Sequence, residues 1–96
     1  MKTKQTADLG LALYLMGVNP SDTEISEYIS LVEGNNGFIW YQIDNLEVEA
    51  MLSNIFEFKN ERKFLVCDFY KLEHIIGILK KMCINKKQIK GDRWYV

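Results

Sequence analysis

The sequence predicts a small α+β domain, and three observations carry that prediction. A β-branched and aromatic run, Gly37-Phe-Ile-Trp-Tyr-Gln-Ile-Asp44, gives way at Asn45 to a helical pattern, which marks a strand feeding a helix. An apolar stripe at helical spacing opens the chain, and a longer one runs from Phe69 to Cys83. A chain of 96 residues buries about 60–65% of its unfolded surface and has material for one core, so a single domain over residues 1–96 is expected. The expected order is helix, β-hairpin, helix, short strand, helix and a basic C-terminal tail over residues 84–96.

Residues 1–5 are polar and read as a frayed end. Thr6 is a suitable N-cap, Asp8 complements the dipole in the first turn, and Leu9, Ala12, Leu13 and Met16 form a stripe, so the opening helix is placed at about 6–16. Gly17 is positioned to close it in a left-handed cap, with a turn at Asn19-Pro20-Ser21-Asp22. Leu11, Tyr14 and Leu15 fall outside the stripe. The helix is therefore either sandwiched inside the domain or offers a face to a partner or a second copy.

Residues 25–33 fit two periods. Ile25, Tyr28, Ile29 and Val32 suit a helix, while Ile29, Leu31 and their polar neighbours suit a strand. The turn signal Glu33-Gly-Asn-Asn-Gly37 favours a hairpin pairing 26–33 with 37–43, and a helix at 22–32 is the alternative. In the second strand Phe38, Trp40 and Gln42 face one way and Ile39, Tyr41 and Ile43 the other. Core on both faces is favoured over an aromatic face offered to a ligand.

Asp44 is expected to cap the middle helix, with Glu47 completing a capping box and Val48, Met51, Leu52 and Ile55 buried. That helix is expected to end near 56, before a charged connector over 57–63. Phe64-Leu-Val-Cys67 suits a third strand or an extended segment. Asp68 then caps the last helix, placed at 69–83, with Lys80 and Lys81 against the negative end of its dipole. Beyond it, Gln88-Ile-Lys90 and Arg93-Trp-Tyr95 could form a short hairpin about Gly91-Asp92 or a mobile tail, with docking of Trp94 and Tyr95 on the domain or on a partner favoured over a free end.

Apolar residues at 48% and charged residues at 26% exclude intrinsic disorder. No run approaches the ~20 apolar residues a bilayer span needs, and Asp8 interrupts any signal-peptide core, so no membrane partner and a cytoplasmic location are expected. Cys67 and Cys83 sit in apolar surroundings and read as reduced core residues. With the single histidine, His74, they fall short of a zinc site, and no metal or cofactor is expected. Glu47 and Glu49 are two apart on a helix and share no face, and no phosphate-cradling loop is present, so an enzyme is not expected.

The net charge of −1 conceals a division. Residues 77–96 hold six basic side chains against one acid, a net +5, whereas residues 1–76 hold six against twelve, a net −6.

Thr6-x-Asp8-Leu9-x-Leu11-Ala12-x-x-Leu15-x-Gly17, the strand Phe38-Ile-Trp-Tyr41 and the late Leu72 and Leu79-Lys80 together resemble a family of short uncharacterised proteins of bacteriophages and other bacterial mobile elements. The resemblance spans about residues 4–82; the segment 19–27 departs from it and the basic tail is extra. It implies expression in a bacterial host and action by occupying a protein surface, such as a host defence complex. It carries over no catalytic residue. Two functions are therefore expected to compete. The first is a protein-binding or homo-oligomeric module using Leu11, Tyr14 and Leu15. The second is a nucleic-acid-binding module using Lys86, Lys87, Lys90, Arg93, Trp94 and Tyr95, which would supply phosphate contacts and a stacking platform.

Overall fold

A computed structural model describes residues 1–35, 37–60 and 68–91. The elements run β1 (Lys2–Thr3), α1 (Thr6–Leu15), α2 (Asp22–Tyr28), β2 (Ile29–Glu33), β3 (Ile39–Ile43), α3 (Leu46–Asn60) and α4 (Phe69–Gly91). The strands form one antiparallel sheet in the order β1-β3-β2, and the fold is α+β.

The opening segment is not frayed: it is an edge strand. Lys2 stands opposite Gln42 and Thr3 opposite Tyr41, and the pairing continues to Met1, whose carbonyl accepts from the Ile43 N–H at 2.8 Å. Such pairing is invisible to periodicity because two residues define no alternation. Thr6 does not cap α1. It is the first helical residue, and its hydroxyl lies 3.1 Å from that of Tyr41. At the other end the helix closes as expected from Gly17. With φ +81°, Gly17 donates to the Tyr14 carbonyl while Val18 donates to that of Leu13, the paired bonds of a left-handed helix stop.

Both periods read in residues 25–33 are present, one after the other. Ser21 Oγ accepts from the Glu24 N–H at 3.2 Å and starts α2, which ends at Tyr28, where the backbone becomes extended and continues as β2. The hairpin therefore pairs 29–33 with 39–43, in a register that sets Leu31 against Tyr41, and its first strand begins three residues later than expected.

Asn45, not Asp44, caps α3: its side-chain oxygen accepts from the N–H groups of Glu47 and Val48 at 2.9 and 3.2 Å. Asp44 instead accepts from the Gln42 amide at 2.9 Å. The helix runs four residues past its expected end, to Asn60, and takes up the first half of the charged connector. The expected strand at Phe64–Cys67 lies outside the described residues. Asp68 does cap α4, accepting from the Lys71 N–H at 3.2 Å. That helix continues through 84–91, where a hairpin or a mobile tail was expected, so Lys80 and Lys81 are mid-helix.

One cluster of buried side chains unites the elements. Leu9, Leu13, Ile25, Ile43, Val48, Ile75 and Leu79 are fully buried in it. Burying each such side chain contributes about 1.5–3 kcal/mol before the entropy of ordering the chain is subtracted. Helix α1 lies between α3 and α4 and packs on both. The contact with α4 is close at Gly10, where a Cβ would meet Ile76 Cγ1 at 2.5 Å.

Candidate functional site

The positioning starts at Tyr41. Its ring is buried in the sheet's inner face, and its hydroxyl, which meets Thr6 of α1, donates to the Leu79 carbonyl of α4 at 3.0 Å. Burial pushes the phenol up to about 12, with the Cys83 thiol beside it adding to the rise and the Thr6 hydroxyl opposing it. Strand, first helix and last helix are thus fixed at one point. At the opposite end of the α1–α4 pair, the Tyr14 hydroxyl accepts from the Asp68 N–H at 2.8 Å, and Lys71 Nζ lies 5.9 Å from the centre of the Tyr14 ring.

These two anchors separate the residues singled out on α1. Leu11 and Tyr14 are half-buried against the core, and Leu15 alone of the three is exposed, at 40%. The first turn of α4, tied to Tyr14, adds two exposed aromatics. Phe69, expected in the buried stripe of that helix, is on the surface because it sits at the helix start, beyond the buried part of the α1 contact, and Tyr70 beside it carries no signal of its own in the sequence. Phe69 is 64% exposed and Tyr70 89%. Leu15, Phe69 and Tyr70 therefore mark one aromatic end of the helix pair.

The basic residues divide as well. Lys86 is half-buried, and its ammonium donates to the Leu31 carbonyl of β2 at 3.2 Å. It occupies a backbone acceptor on the β2 edge of the sheet, which an added strand would otherwise use. The backbones of Lys87 and Lys90 lie in α4, and their side chains are outside the described part, as are Arg93, Trp94 and Tyr95 altogether.

A third surface lies where β1 stops. The core cluster includes Ile29, Tyr41 and Ile43 of the sheet, with Ile39 buried beside them, and none of the residues alternating with these. The expectation of core on both faces of β3 is therefore corrected. Phe38 is 54% exposed, Trp40 is half-buried, and Lys4 Nζ sits 3.9 Å from the Phe38 ring centre and 4.5 Å from that of Trp40. A three-stranded sheet with one buried face leaves its alternate side chains to solvent. Next to these rings is an open groove of about 370 Å³, to which Lys80, Cys83 and Ile84 of α4 contribute.

His74 is exposed on α4, beside an open groove of about 570 Å³ that also takes in Ser21 and Asp22. Ser21 is committed to capping α2. Among the described residues no group of three or more histidines, cysteines or carboxylates is placed to hold a metal ion, and no helix is long and apolar enough to cross a membrane.

These features define an α+β domain whose three-stranded antiparallel sheet packs its Tyr41 face on helices; among the described residues, large apolar groups are exposed at the Tyr14 end, beside the Phe38 groove, and singly at Met1 and Leu46. No family model matches the chain, and neither a curated protein nor a solved structure does.

Proposed function

We propose that this chain is a non-enzymatic protein-binding module, made by a phage or mobile element to occupy a host or viral protein surface in the bacterial cytoplasm, with inhibition of a defence complex as one form of that action. The aromatic end carries the reading. Leu15, Phe69 and Tyr70 keep large apolar surface in water at one end of the α1–α4 pair, and exposed aromatic patches of this kind serve as interaction sites. The phage context rests on the resemblance of Thr6–Gly17 and the segments that accompany it.

Size-exclusion chromatography with light scattering, on wild type and a Leu15→Glu/Tyr70→Glu variant, tests the reading. Both positions are exposed, so the variant should keep the wild-type melting temperature while losing self-association or partner binding. Leu11→Glu is a poorer probe because Leu11 packs against the core. A variant that alters neither assembly nor any interaction removes this surface from the proposal.

The second reading is nucleic-acid binding: α4 continues through Lys87 and Lys90, which extends its line of basic residues past Lys80 and Lys81 even though Lys86 is engaged with Leu31. Binding to short oligonucleotides that falls steeply with salt would support it.

A further inference from the structure

We propose that the groove beside Lys4 and Lys80 is a docking site for an extended, acidic and apolar peptide segment of a protein partner. The argument begins with hydrogen-bond parity. In an antiparallel ladder alternate residues turn their N–H and C=O groups to the same neighbour. Gly34 donates to the Phe38 carbonyl, so Phe38, Trp40 and Gln42 serve β2, while Ile43 and Tyr41 serve β1. By the same parity the Ile39 backbone faces the β1 side.

There β1 has already ended. Thr3 is its last residue, opposite Tyr41, and the chain then turns away into α1, with Gln5 donating to the Thr3 hydroxyl and Thr6 to the Lys4 carbonyl. The backbone edge of β3 at Ile39 thus opens into the groove, and a short extended segment can continue the sheet by adding there.

The walls specify what that segment carries. Lys80, Cys83 and Ile84 are three and four residues apart and so share one face of α4, and Lys4 and Phe38 also line the groove. Phe38 and Ile84 are each about half exposed, at 54% and 53%, and supply apolar surface to cover. Two ammonium groups and no carboxylate belong to the described lining, which complements an acidic segment. Single-stranded nucleic acid fits less well, because Lys4 already lies over the Phe38 and Trp40 rings that base stacking would need. The groove is at the Tyr41 anchor, away from Leu15 and Tyr70, so loss of one surface is distinguishable from loss of the other.

The test is a two-dimensional amide NMR titration with a capped hexapeptide alternating glutamate and leucine. The same peptide with glutamine for glutamate, and oligo-thymidylate, are the comparison probes. The expected result is saturable movement of the Ile39 amide and its groove neighbours, with affinity at least tenfold weaker for the glutamine peptide and for a Lys4→Glu/Lys80→Glu variant. Lys80→Glu alone, on an exposed helix face, should give a smaller loss without change in melting temperature and serves if the double variant misfolds. Four results would overturn the proposal: no binding of the acidic peptide at millimolar concentration, equal binding by the charge-reversed protein, stronger binding of oligo-thymidylate, or groove shifts that follow protein concentration alone and so report a second copy.

Discussion

At Tyr41 a single hydroxyl ties three elements together, and its loss should be measurable in two ways. Tyr41→Phe removes the bond to Leu79, which at the usual net worth of a buried hydrogen bond costs about 1 kcal/mol, or roughly 4–8 °C in a domain of this size. The folded phenol titrates near 12 and the unfolded one near 10.0, so its contribution is whole below pH 10 and is lost as pH rises from there toward 12. Alkaline denaturation should therefore be less steep in the phenylalanine variant.

Glu24 gives the opposite sign at the acid end. The Asn19 N–H and then the Asn19 side-chain amide hold its carboxylate below the usual range. The stability it supplies is present above the ordinary carboxylate value and is lost as pH falls through the lowered one, and Glu24→Gln should flatten that limb of the acid transition. The sequence alone places only a turn at 19–22 and does not anticipate this contact, in which Glu24 reaches back past the Ser21 cap to Asn19. Asp44 shows the limit of such reading: Asp44 and Asn45 are both good caps and adjacent, and only the backbone decides between them. Asn45→Ala should cost about 1 kcal/mol, and Asp44→Ala no more than about 0.5 kcal/mol, in denaturant melts.

Among the elements, the α1–α4 contact has the least slack. Gly10→Ala gains about 1 kcal/mol of helix propensity, but its methyl would meet Ile76 close to the backbone, and overpacking of this kind costs about 1–3 kcal/mol. The clash wins because Cγ1 cannot swing away as a side-chain tip does. Gly10→Ala should lower stability by about 1 kcal/mol, and its cost should shrink when combined with Ile76→Ala, a coupling that a double-mutant cycle reads directly.

The apolar stripes of α1, α3 and α4 made their existence legible, and Gly17 and Asp68 marked one end each of α1 and α4, whereas the start of α3 and the C-terminal ends of α3 and α4 were misplaced. Asn85-Lys86-Lys87-Gln88 continues a helix as readily as Gly91-Asp92 suggests a turn, and the helix prevailed. Leu11, Tyr14 and Leu15 were indistinguishable as apolar residues. Flanking by two helices separates them, and flanking is a tertiary fact.

At the scale of the molecule, the two candidate binding surfaces lie apart. The aromatic end surrounds the Tyr14 anchor, and the groove lies at the Tyr41 anchor with two lysines on its walls. The charge division was plain in the sequence, but its consequence was not, because Lys86 is spent on a strand edge while Lys80 lines the groove. The most direct measurement of the binding role is quantitative affinity capture from cells of the host, comparing wild type with Leu15→Glu/Tyr70→Glu at matched melting temperature. The expected result is one or a few proteins retained in stoichiometric amount by wild type and lost with the variant. An identical set of proteins on both, or none on either together with a monomer by light scattering, would contradict it.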